Sequence, residues 1–140
     1  MRSEKGGTRL DARRLESIPL FRDLSRKERE QIARWSDEVD VPSGYHLLDQ
    51  GRFPHEFFVL EKGTVAVTKD GTHLTDLGPG DFFGEIAILE AERRTASVIA
   101  STPVTAIVMT ARDFRTVATE MPEVAEQIHA AIRERVARQH

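Results

Sequence analysis

Seven short β-rich runs lie between Glu38 and Thr110, a turn signal separates most of them, and helical spacing takes over on either side. Together these predict a mainly β chain: an antiparallel jelly-roll (double-stranded β-helix) with N-terminal helices and two C-terminal helices. The layout expected is a flexible tail over 1–8 and one domain over 9–140, with helices in 10–35, the β-roll in 38–110 and C-terminal helices in 111–138.

At the N-terminal end, the polar stretch with Gly6-Gly7 predicts the loose tail. Leu10 to Leu15 reads as a short helix that stops at Ile18-Pro19, because a residue before proline avoids helical angles. Ser25-x-x-Glu28 is a capping-box pattern and predicts a helix to about Trp35, with Ile32, Ala33 and Trp35 inward. The strands follow as Glu38–Val41, Tyr45–Asp49, Glu56–Leu60, Thr64–Lys69, His73–Leu77, Ser97–Ala100 and Val104–Thr110. Asp70-Gly71, between Val65-x-Val67 and Leu74, is a hairpin turn signal. Gly78-Pro79-Gly80 also marks a turn, since it opens no strand–helix unit of dinucleotide-binding type. Thr110-x-x-Asp113 predicts the next helix start, with Phe114 and Val117 inward. Met121-Pro122 breaks that helix, and Pro122 suits the first turn of another. Val124, Ile128, Ile132 and Val136 then give that helix a narrow apolar stripe, which either packs on the roll or pairs with a partner helix.

The 140 residues suffice for one core, and 31% charged against 39% hydrophobic residues describes a folded, water-soluble chain. Charge is unevenly spread. Residues 1–35 carry ten Lys/Arg against six Asp/Glu, and residues 36–120 carry seven against fourteen. A central body of net −7 repels a nucleic-acid backbone, so no nucleic-acid partner is expected. About 30 residues follow Thr110, already used by two helices, which leaves no helix-turn-helix. With no cysteine, thiol catalysis and thiolate metal sites are excluded. His46, His55, His73, His129 and His140 are scattered, no Ser/His/Asp grouping stands out, and neither a metal site nor an enzyme is expected. No apolar run reaches membrane-spanning length and no signal peptide is visible, so the expectation is a cytoplasmic chain without membrane contact. Arg9, Arg13 and Arg14 read as solvated helix-face charges.

Chemistry concentrates in Gly80-Asp81-Phe82-Phe83-Gly84-Glu85-Ile86-Ala87-Ile88-Leu89, followed by Arg94-Thr95-Ala96-Ser97-Val98. Gly84 lets a backbone approach a ligand closely. If Glu85–Leu89 turns once as a helix, the Ile86 and Ala87 N–H groups face an anion, and Ala87 leaves room for it. Arg94 supplies a planar fork suited to phosphate oxygens. Glu85 makes sense if that anion also carries a hydroxyl donor.

Phe83 to Leu89 with Arg94 to Val98 resembles the phosphate-binding cassette of cyclic-nucleotide-binding domains, the family of kinase regulatory subunits, gated channels and catabolite-activator regulators. The order of elements, including Ile18-Pro19-Leu20-Phe21, resembles the family over roughly 17–136. The resemblance implies a non-enzymatic sensor whose ligand is cAMP or cGMP, with no cofactor. It implies that Glu85 accepts from the ribose 2′-OH beside Gly84, and that Arg94 pairs with the cyclic phosphate. The N–H groups of Ala87 and Ala96 would complete the cradle, and Phe83, Ile86 and Val98 would wall the site. Thr95 stands where members carry a small residue or a hydroxyl, the latter often in cGMP-preferring members; the short, bacterial-looking chain places cAMP ahead. No aromatic residue other than histidine follows Phe114, so a lid over the base would fall to Ile128, Ile132 or Arg133. The other reading open at this point is a ligand-blind roll that contacts an effector protein or a second copy; a bare Glu85–Arg94 pair would fit it.

Overall fold

The structure, a computed structural model, describes residues 10–52, 55–85, 94 and 96–139, and in the last helix side chains to 134 except that of 132. The tail expected over 1–8 lies outside the described residues. Among the described residues, eight strands form two four-stranded antiparallel sheets. One runs β1 (Ser36–Val41), β8 (Val104–Thr110), β3 (Glu56–Lys62), β6 (Phe82–Phe83); the other runs β2 (His46–Leu48), β7 (Ser97–Ala100), β4 (Val65–Lys69), β5 (Thr72–Leu77). This is the expected roll. The two-residue strand β6 is new: Phe82 and Phe83 pair with Val59 and Phe58, too short a stretch to show an alternating pattern.

The central strands of the first sheet are buried on both faces, which explains their unbroken apolar runs. In β3, Phe57 and Val59 face the helices while Phe58 and Leu60 face the roll interior. In β8, Ile107 and Met109 go to the helices and Ala106 and Val108 to the interior. Stacked rings mark both sides: Phe57 on Phe114 at 4.2 Å between centroids, and Phe58 on Phe83 at 5.0 Å. The second sheet buries one face, and β5, at its edge, has no fully buried residue. The Asp70-Gly71 hairpin forms as expected. Both residues take positive φ (53° and 79°), the geometry of a type I′ turn.

The helices follow their caps. A 3-10 helix, Ala12–Ser17, starts two residues later than the sequence implied, because the Asp11 carboxylate accepts from Arg13 N–H. Ile18 is extended (φ −95°, ψ 119°), and Pro19 then opens α1 (Pro19–Arg22), a four-residue helix the sequence reading missed. Ser25 and Glu28 form both halves of the expected capping box at the start of α2 (Arg26–Trp35), at 3.0 and 3.1 Å. Thr110 caps α3 (Ala111–Glu120) through Asp113 N–H, and α4 covers Pro122–Gln139. Phe114, Val117, Met121, Val124 and Ile128 all join the core between helices and sheet, so the described part of the α4 stripe packs inward.

One expectation fails. Arg14 is not a solvated helix-face charge: its side chain, 32% exposed, forks onto Glu61 of β3, with Nε 2.9 Å from Oε2, and also pairs with Glu38 of β1 at 2.8 Å. Carboxylates from β1 and β3, the two strands that flank β8, converge on it, and helical spacing could not reveal that. Arg13 does stay exposed, paired with Asp11.

Candidate functional site

The site grows from the junction of β6 with the segment leading into β7. Phe83 is anchored inside the roll by its stack on Phe58, and Val98 belongs to the same buried cluster. Between them the chain turns at Gly84, with φ +96°. A Cβ there would sit 3.0 Å from the Glu56 carbonyl oxygen and 3.1 Å from Arg94 Nη1, so glycine is required by conformation and by space.

The next residue, Glu85, is 1% exposed, and Arg94 is 5% exposed. They are two of the three buried polar or charged residues among the described residues; the third is Ser36. Arg94 Nη1 donates to the Gly84 carbonyl at 2.7 Å and Nη2 donates to the Glu56 carbonyl at 2.5 Å. These bonds aim the guanidinium at the Gly84 turn and engage two of its five N–H donors. Burial pushes the Arg94 pKa down to about 10, and the charge of Glu85 works in the opposite sense. Arg94 therefore stays cationic at neutral pH. The result is a buried cation and a buried anion that interact electrostatically beside a backbone turn with no side chain, an arrangement suited to an anion that also bears a hydroxyl.

The backbone of Arg94 is held as firmly as its side chain. Its N–H donates to the Arg52 carbonyl at 2.7 Å, and its carbonyl accepts from Gly51 N–H at 2.9 Å. The sequence reading missed Gly51, Arg52 and Glu56 as site-builders. A lone glycine such as Gly51 signals no more than a turn, and no sequence pattern marks which backbone carbonyls will face a guanidinium.

Of the expected site residues, Phe83, Gly84, Glu85, Arg94, Ala96 and Val98 are described, and all but the turn glycine are buried. Ile86, Ala87 and Thr95, and with them the helical turn expected past Glu85, lie outside the described residues. Of the three lid residues, Ile128 is fully buried in the core beside the helices, and Arg133 is exposed on α4. The Ile132 side chain is not described. Covering a base with Ile128 would require α4 to leave that core. Among the described residues, no three His, Asp or Glu side chains gather to hold a metal, and no helix is long and apolar enough to cross a membrane.

The family model described as "Cyclic nucleotide-binding domain" matches residues 38–120, from within β1 to the end of α3. The chain belongs to this family. Cyclic nucleotide-binding domains regulate and do not catalyse, consistent with relatives that are regulatory subunits and channels. A cyclic nucleotide-gated potassium channel of Rhizobium etli is 33% identical over 119 residues, covering 85% of this chain and 33% of the channel. The cAMP-dependent protein kinase regulatory subunit of Neurospora crassa is 38% identical over 92 residues, covering 64% of this chain and 24% of the subunit. The chain thus spans a quarter to a third of the length of these relatives. Among solved structures, cAMP-bound PfPKA-R (141–441) superposes with a TM-score of 0.83 at 20% identity, over 91% of this chain and 44% of that one. The shared fold is the two-sheet roll with its flanking helices.

Proposed function

We infer that this cyclic nucleotide-binding domain is a sensor that binds cAMP in preference to cGMP and answers by changing how its C-terminal helices pack. The observation that carries the reading is the joint burial of Glu85 and Arg94 at a glycine turn. Burying two charges is expensive, and a fold that needed only stability would fill this space at lower cost with apolar side chains.

In this reading Arg94 pairs with the cyclic phosphate and Glu85 accepts from the ribose 2′-OH. The Ala87 and Ala96 N–H groups complete the cradle; Phe83, Ile86, Val98 and Thr95 line it, and Ile132 or Arg133 closes over the base. The preference for cAMP rests on the expectation from sequence and on similarity to cAMP-dependent kinase subunits. The helix response is supported by continuity: β3 offers its Glu56 carbonyl to Arg94 and, one residue on, packs Phe57 against Phe114 of α3. Ligand can drive that change only by the difference in its affinity for the two arrangements. The output passes to an effector protein or a second copy, in the cytoplasm.

Isothermal titration calorimetry with cAMP and cGMP tests this. Wild type gives heat with both and the tighter constant with cAMP. Arg94→Leu loses about 100-fold, the loss of one or two charge-assisted hydrogen bonds at roughly 1.5–3 kcal/mol each, and Glu85→Ala loses about tenfold or more. No heat at millimolar nucleotide would replace the sensor by a ligand-blind interaction module. The bonds that Arg94 already makes to two carbonyls of its own chain would then be its whole purpose.

A further inference from the structure

Arg94 is held from behind by a turn that is itself fastened to a distant hairpin. Asp49–Arg52 is a β-turn closed by Arg52 N–H to the Asp49 carbonyl at 3.2 Å, with Gly51 at its third position at φ +87°. The second residue of the turn, Gln50, makes two side-chain bonds to one partner. Its Nε2 donates to Asp70 Oδ1 at 2.8 Å, and its Oε1 accepts from Asp70 N–H at 2.9 Å. Asp70 sits at the tip of the β4–β5 hairpin with φ of 53°, and its backbone N–H and carboxylate both meet the amide. Gln50 N–H also donates to Ser97 Oγ at 2.9 Å, at the start of β7. The hairpin tip at Asp70 and the start of β7 at Ser97 therefore both fasten Gln50, and the turn's next two residues take both backbone polar groups of Arg94.

We propose that Gln50 is a positioning residue for Arg94: its amide staples the 49–52 turn to the Asp70 hairpin tip, and the turn fixes where the guanidinium starts. Two backbone bonds set the origin and direction of the Arg94 side chain, and a long side chain amplifies a small shift at its root. A turn of four exposed residues carries few packing contacts to hold it otherwise. Asp70 suits the role because aspartate tolerates positive φ while presenting both a carboxylate and an N–H to a single amide.

The consequence for affinity rests on the sensor reading above; the consequence for Arg94 itself does not. Gln50→Ala breaks the staple without adding charge and weakens cAMP binding by about fivefold, the loss of one or two exposed hydrogen bonds, while Tm stays within about 2 °C of wild type. Gln50→Glu sets a second carboxylate against Asp70 and weakens binding at least as much. Adding Asp70→Asn to Gln50→Glu exchanges donor and acceptor, keeps the net charge and returns affinity to within about twofold of wild type. Amide hydrogen exchange gives the readout that needs no nucleotide: Gly51 and Arg94 N–H exchange faster in Gln50→Ala and regain protection in the exchanged pair. Unchanged affinity in Gln50→Ala, or no rescue in the double variant, overturns the positioning role. If wild type binds neither nucleotide, the sensor reading fails, and exchange at Gly51 and Arg94 alone decides the staple, with unchanged rates overturning it.

Discussion

Arg94 and Arg14 both reach β3, the first at the Glu56 carbonyl and the second at the Glu61 carboxylate, and the strand holds them on different terms. Arg94 is nearly sealed from water and meets backbone carbonyls, so burial outweighs the help it gets from Glu85 and its pKa falls. Arg14 is half-open and meets Glu61 and Glu38, so its pKa rises, chiefly through the hydrogen bond to Glu61. One arginine is stored as a strained charge, and the other ties the N-terminal 3-10 helix to two strands. On the proposed function, the contrast separates a cation kept for an incoming anion from one already spent on structure.

Breaking the expensive end should cost most. Gly84→Ala forces positive φ on a residue with a Cβ and presses it towards the Glu56 carbonyl, so about 2 kcal/mol of stability is lost and Tm drops by about 6 °C in thermal melts. Because Arg94 Nη1 is the other neighbour of that Cβ, nucleotide affinity falls in the same variant. Normal affinity in a folded Gly84→Ala would remove the turn from the site.

A pH series sharpens the same end. The folded-state pKa of Arg94 lies below that of an unfolded chain, so the buried cation costs stability at every pH below about 10, and that cost shrinks as pH rises further. Bound phosphate needs the proton kept. Affinity for cAMP is therefore flat from pH 7 to 9 and falls by up to tenfold per unit above about 10, measured by titration at fixed ionic strength. An unaltered constant at pH 11 would show that no buried cation near that pKa holds the phosphate.

At the other end the expected effect is smaller and of another kind. Arg14→Ala lowers stability by about 1 kcal/mol, discounted for its partial exposure, seen as a Tm loss of about 2–4 °C, with the cAMP constant unchanged. A large loss of affinity would mean that the N-terminal helices take part in ligand binding.

The division between what was legible and what was not runs along the same line. Ser25 with Glu28, Pro122, and Asp70 with Gly71 act on neighbours three residues away or fewer, so the capping box, the helix break and the hairpin could all be read directly. The strand pattern was equally open because β3 and β8 keep hydrophobic residues on both faces. Arg14 and the β6 pair were misread or missed because partners distant in sequence define them, and α1 was missed because four residues are too few to show a helical period.

For the site, the sequence by itself determined the parts: a glycine, a carboxylate and a guanidinium at the cassette spacing, carried by a roll. Only the tertiary structure decided that Glu85 and Arg94 are both shut from water, and that carbonyls from positions 52, 56 and 84 hold the arginine. Local propensity depends on side-chain shape and nearby hydrogen bonding, which residue identity encodes. Desolvation and carbonyl direction depend on what the rest of the chain packs around a group, and the residues of the motif do not carry that information.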